Sequence, residues 1–163
     1  MANWTENDLT RQFNHAKSRG WIPYFAGAAE SDHFDTELLL AIASRETNMQ
    51  NIKGDFHNGA YHGFGIMQVD VGTDPDFCAH WTPDQVEGSI TRGTQILAGK
   101  RDSLAAKNIT DLKAIAAAYN TGAANVIHSI QTGADPDRTS TGHDYGSDVI
   151  ERRAVFIKLR PTA

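Results

Sequence analysis

The sequence predicts a mainly α-helical chain, α-dominated α+β, with a small irregular β element forming one wall of a cleft. Three observations carry this. Leu38, Ile42 and Glu46 recur every four residues through an apolar run, the spacing of a helix with one buried face. Leu112, Ile115, Ala116 and Tyr119 recur at i, i+3, i+4 and i+7, a second amphipathic helix. Between them, residues 47–80 lose the helical period and hold Gly54, Gly59, Gly63, Gly65 and Gly72, so short strands and turns are expected there.

Taken in order, a first helix is expected from Thr5, burying Leu9, Phe13 and Ala16 and ending at Gly20. Trp21-Ile22-Pro23 restarts the chain, with Pro23 suited to the first turn of a short helix through Ala29. Asp32 or Asp35 can cap the helix that carries the leucine run to Glu46. Ile66, Val69 and Val71 alternate as in short strands or turns. Thr82-Pro83-Asp84-Gln85 reads as a capping box, and Val86, Ile90, Gly93, Leu97 and Leu104 extend the following helix along one face. Asp111 opens the next helix and Gly122 is placed to end it. Residues 131–142 are expected as a loop. A last helix from about His143 should face Val149, Ile150, Ala154 and Ile157 inward, leaving Arg152-Arg153 and Lys158 to Arg160 as a solvated face.

With 163 residues, 40% of them hydrophobic, the chain is long enough for one domain with a core, residues 1–30 forming an N-terminal helical extension packed on it. A net charge of −5 with scattered Lys and Arg argues against a nucleic-acid binder. No stretch has the apolar length of a membrane span, and the first residues lack the basic-then-apolar pattern of a signal peptide. Cys78 is the only cysteine, so no intrachain disulfide is possible, and it reads as a buried small residue. His57 and His62 match no established ligand spacing, so no metal site is expected.

Glu46 closes the apolar face of its helix, where lost hydration would raise its pKa toward the range of a general acid. Gly54-Asp55 and Gly63-Phe64-Gly65-Ile66-Met67-Gln68-Val69-Asp70 follow, and Ala118-Tyr119-Asn120 lies downstream. A helix-borne acid with further carboxylates on a glycine-rich turn is what glycoside hydrolysis needs. One carboxyl protonates the leaving oxygen, and another activates water or stabilises the oxocarbenium charge. Read locally, Asp55 beside Gly54 is also an ordinary turn residue, and Asp70 can simply end a strand.

Together these segments resemble the goose-type lysozymes, within the wider lysozyme-like and lytic transglycosylase superfamily. Ile90 to Leu97, Ala118 to Val126 and Asp144 to Val149 continue the similarity, which spans residues 35–158 in order. The resemblance implies a lysozyme-like fold and cleavage of the β-1,4 bond between N-acetylmuramic acid and N-acetylglucosamine in bacterial peptidoglycan. It matches Glu46 to the catalytic acid and Asp55 and Asp70 to the aspartates that position water in an inverting reaction. It places Gln68, Tyr119, Asn120 and Tyr145 along the sugar cleft, with Gly65 in the glycine-rich turn beside them. No cofactor or metal is implied. A monomer is expected, with a proteinaceous lysozyme inhibitor as a second candidate partner. Secretion, or another route to the cell wall, is expected too. Two alternatives stay open: a lytic transglycosylase giving 1,6-anhydro products, and a non-catalytic glycan-binding module. The chain departs from the family in lacking the N-terminal disulfides usual in animal members and in having a loop between Glu46 and Asp55 shorter than that of the avian members. It also carries Val71-Gly72-Thr73-Asp74 where those members have a basic, histidine-containing stretch.

Overall fold

A computed structural model describes residues 3–160. In chain order the helices are α1 (Glu6–Ser18), α2 (Ile22–Asp32), α3 (Thr36–Thr47), α4 (Pro75–His80), α5 (Val86–Ala105), α6 (Leu112–Thr121), α7 (Ala123–Gln131) and α8 (Tyr145–Leu159). Between α3 and α4 lie β1 (Lys53–His57), β2 (Ala60–Phe64) and β3 (Val69–Asp70), an antiparallel sheet in the order β1-β2-β3. The fold is mainly α with a small sheet, as the sequence predicts.

Local chemistry sets the helix starts. Thr5 and Asp8 form a reciprocal capping box on α1. Asp35, rather than Asp32, caps α3 through the Leu38 N–H at 2.8 Å, and Asp111 caps α6 through the Ala114 N–H at 3.0 Å. Helix α3 is buried on nearly every side, from Leu38 to Ser44, because α8, α2 and α1 all pack on it. Leu9, Phe13 and Ala16 of α1 join the same apolar core as α3, α6 and α8. No described helix is long and apolar enough to cross a membrane.

Five elements depart from the sequence expectations. Helix α4 interrupts the stretch read as irregular; its signal is Asp74-Pro75, whose carboxylate accepts the Phe77 N–H at 3.0 Å with proline in the first turn. The box at 82–85 does not cap α5: the Thr82 hydroxyl turns to Asp84, so only the Gln85 side chain reaches back, at 3.3 Å, and the helix starts at Val86. Helix α7 follows Gly122 directly, with Val126 buried. Two short 3-10 turns, Pro136–Thr139 and Thr141–His143, occupy the expected loop.

The buried face of α8 is also rotated from the expected one. Val149 is buried, but Ala154 and Ile157 are exposed, and Asp148, Arg152, Val155 and Phe156 point inward instead. Arg152 is therefore not part of a solvated face, because Asp148 inside the protein neutralises it at 2.8 Å. Arg153 pairs with Asp35 and Arg160 with Glu37, both at 2.9 Å, leaving Lys158 as the exposed cation of that group. Cys78 is buried, its thiol donating to the Val69 carbonyl, and burial first, then the charges of Asp74 and Asp70, push its pKa up to about 11. A thiol so held is no nucleophile near neutrality.

Candidate active site

The last turn of α3, the sheet and the C-terminal end of α6 enclose a polar cleft of ≈ 530 Å³. Glu46 enters from α3. Asp55, Gln68 and Asp70 enter from the sheet and its turn, and Tyr119, Asn120 and Thr141 close the third side. The α3 stripe explains the position of the acid: Leu38 and Ile42 are fully buried, and Glu46, next on that face, emerges half-buried where the helix ends.

Burial pushes the Glu46 carboxyl from 4.5 up to about 7, against the lowering effect of the Tyr145 hydroxyl and the Arg45 charge. The Tyr145 O–H donates to Glu46 Oε1 at 2.5 Å. Tyr145 is itself buried, and its own pKa is raised well above 10, first by burial and then by Glu46, so it remains a neutral donor. With Oε1 occupied as an acceptor, Oε2 is the oxygen left to carry the proton.

The two aspartates live differently. Asp70, at the end of β3, is exposed; its Oδ1 accepts the Gly72 N–H at 2.8 Å. Asp55 sits in β1 with φ 51°, a left-handed conformation that aspartate tolerates better than most residues, between the paired residues Gly54 and Phe56. Its carboxylate is exposed and faces His57 Nδ1 at 3.3 Å, and the His57 ring stacks on His62 with centroids 3.6 Å apart.

The remaining expected residues divide into those at the cleft and those behind it. Gln68 lines the cleft while its Nε2 donates to the carbonyls of Ile52 and Gly65, both at 2.9 Å, tying the turn to the sheet. The Tyr119 hydroxyl donates to the Met67 carbonyl at 2.7 Å, so that polar group is spent within the protein. The Asn120 amide clasps Thr141 at both ends, accepting its N–H at 2.8 Å and donating to its hydroxyl at 3.1 Å.

Two expected cleft residues do not line it. Tyr145 stands behind Glu46 and touches the acid rather than the cleft space. Gly65 is buried on the opposite side of the turn, where a Cβ would come 2.4 Å from Ser89 Oγ. That oxygen cannot retreat, because it accepts from Trp81 Nε1 at 3.0 Å and donates to the Gln85 carbonyl at 2.6 Å. The Gly65 φ of +83° adds backbone strain for any other residue. Gly65→Ala is expected to cost about 2 to 4 kcal/mol in urea unfolding. Substrate affinity per folded molecule should change little; an unchanged unfolding midpoint would contradict this placement.

Behind the acid, Arg45 lies over the Tyr145 ring with its guanidinium 5.3 Å from the centroid. It binds Asp148 at 2.9 Å, Asp144 at 3.2 Å and the Thr141 carbonyl at 3.3 Å. Asp148 also accepts from Trp4 Nε1 at 2.6 Å and Arg152 Nε at 2.8 Å. Sequence reasoning did not find this buried cluster, nor Thr73, Lys100, Thr121 and Thr141 along the cleft. Thr73 and Thr121 are chain neighbours of Asp70 and Asn120 but carry no pattern of their own, whereas Lys100, Thr141 and the members of the buried cluster are brought together from elements distant in sequence. Among the described residues, no group of three His, Cys, Asp or Glu side chains is placed to hold a metal.

The chain is similar to known proteins over most of its length. A family model described as Lysozyme g matches residues 14–160. A Lysozyme g of Epinephelus coioides is 34% identical over 134 residues, 72% of this chain and 64% of the other. A Lysozyme g of Takifugu rubripes is 35% identical over 160 residues, 91% of this chain and 80% of the other. One of Cyprinus carpio is 32% identical over 127 residues, 75% of this chain and 64% of the other. The chain thus spans somewhat less than two thirds of two of these relatives and four fifths of the third. Matched from the middle of α1 to the end of α8, and a third identical to these proteins over most of its length, the chain belongs to the lysozyme g family.

Proposed function

We propose that the protein is a muramidase that hydrolyses the β-1,4 bond between N-acetylmuramic acid and N-acetylglucosamine in bacterial peptidoglycan. The observation that carries this reading is a contrast of environments in one cleft. Glu46 is held near pKa 7 by burial, while Asp55 and Asp70 are exposed carboxylates on the facing sheet. Near neutrality Glu46 can hold a proton, and the facing aspartates offer the second carboxyl group that glycoside hydrolysis needs.

In this mechanism Glu46 Oε2 gives its proton to the glycosidic oxygen as the bond to the anomeric carbon breaks. Asp70, with Asp55, orients a water and takes its proton as its oxygen bonds to the anomeric carbon from the opposite face. The product is a reducing sugar of inverted configuration. Gln68, Tyr119 and Asn120 shape the cleft wall, and neither metal nor cofactor enters any step. The substrate places the protein's work at the bacterial wall, reached by secretion or another delivery route. It acts as a monomer, and a proteinaceous inhibitor that covers the cleft would be its natural antagonist.

Mass spectrometry of purified peptidoglycan digested by the protein tests the reaction. Reducing muramic ends are expected. Fragments lighter by one water, the 1,6-anhydro ends left when the muramic 6-hydroxyl attacks internally, would replace hydrolysis by transglycosylation. Intact glycan strands would leave a binding module.

A further inference from the structure

The cleft that holds Glu46 continues into a second groove. Thr73, Lys100 and Gly122 line both the cleft and an adjoining space of ≈ 550 Å³. One wall of that space is a face of α5, where Arg92, Ile96, Lys100 and Ser103 recur at helical spacing. The other is Gly122-Ala123-Ala124 at the junction of α6 and α7, where nothing larger than a methyl group projects. The groove is thus open to the cleft, one-sidedly basic and roomy.

Its two cations differ. Arg92 is committed to Asp74 at 2.5 Å and to Gln95 at 3.4 Å. Lys100 is half-buried and, among the described residues, makes neither an ion pair nor a side-chain hydrogen bond. Nor does it serve the acid, since the cation that bears on Glu46 is Arg45. An ammonium partly stripped of water and left without a counter-ion favours an incoming anion. Neutral N-acetylglucosamine units carry none. Muramic acid carries one on its 3-O-lactyl ether, either the lactyl carboxylate of a bare strand or the carboxylates of an attached stem peptide.

We propose that Lys100 is a specificity residue that binds a carboxylate of the muramic 3-O-substituent, which lies in the groove between α5 and the α6–α7 junction. This rests on the muramidase reading and names the part of its substrate that the groove selects. Lys100 does not act on the bond that breaks.

The test is calorimetric binding by the full chain carrying Glu46→Gln, so that turnover does not obscure affinity. Three probes are compared: chitohexaose, a bare N-acetylglucosamine–N-acetylmuramic acid hexasaccharide, and the same strand with stem peptides. Adding Lys100→Gln is expected to weaken the carboxylate-bearing probes about fivefold to tenfold more than chitohexaose. Lys100→Arg should restore most of the difference, and raising salt from about 20 to about 200 mM should shrink it. A full effect on the bare strand assigns the lactyl carboxylate; an effect only with peptides assigns the stem. Equal weakening of all three probes, or of none, overturns the role of Lys100. Failure of the Glu46→Gln protein to bind any of them overturns the muramidase reading and this inference with it.

Discussion

Glu46→Gln is expected to abolish cell-wall clearing by about three orders of magnitude, since general acid catalysis contributes roughly 10² to 10⁴ to such reactions. The amide keeps the shape and can still accept the Tyr145 hydroxyl, so the fold should survive. The substitution should in fact stabilise the protein at alkaline pH. With a folded pKa of about 7 against an ordinary 4.5, the native state holds a proton that the unfolded chain has released between those values. Stability from this group is therefore complete below about pH 4.5 and lost as pH rises through 7. Above that, a charged Glu46 in its desolvated place costs the wild type on the order of 3 kcal/mol, which the neutral glutamine does not. Urea unfolding at pH 8 should favour Glu46→Gln, and at pH 4 the two proteins should coincide. Equal stability at both values would remove the case for a desolvated acid, and full activity in the variant would remove its role. For the wild type, activity should fall as pH rises through about 7, as the acid loses its proton.

Asp148→Ala should produce the largest loss of stability, about 3 to 5 kcal/mol by urea unfolding, because it leaves buried guanidinium charge without its partner. Asp148 is 4% exposed and receives hydrogen bonds from Trp4, Arg45 and Arg152 together. Burial pushes its pKa up, but the hydrogen bonds from Trp4 and Arg152, the Arg152 charge and the bond from Arg45 outweigh this and leave it below 3.8. Its stabilisation is thus present above 3.8 and lost as pH falls through its lowered folded value. The change should also be felt at the site. Arg45 would lose a main anchor while remaining beside Tyr145 and Glu46, and its charge opposes protonation of the acid. The alkaline limb of the activity profile should then move to lower pH. A stability loss under about 1 kcal/mol would mark the cluster as no stronger than an exposed ion pair.

Much of the candidate site was legible in the chain because its buried carboxyl obeys a periodic rule. Leu38, Ile42 and Glu46 share a face whatever surrounds them, so burial of that face predicts a partly dehydrated carboxylate from sequence. Capping is equally local: Thr5 and Asp111 start their helices as expected, and Asp35 is one of the two caps the sequence offers for α3. Even the missed α4 had its signal in Asp74-Pro75. Where a side chain has a choice of local partners, as the Thr82 hydroxyl has when it turns to Asp84 instead of capping the helix, the pattern alone could not choose.

What the amino-acid order determined by itself was the helical framework, the half-buried acid at its exit and the glycine-rich turn carrying further carboxylates. Only tertiary packing decided that Tyr145 stands behind the acid, that Gly65 faces Ser89, and that Arg152 turns inward to Asp148. It alone decided, too, that Lys100 meets the cleft. The reason is physical. Periodicity and caps arise from atoms a few residues apart, whereas the partner of a buried charge or a turn depends on which distant helix happens to cover it.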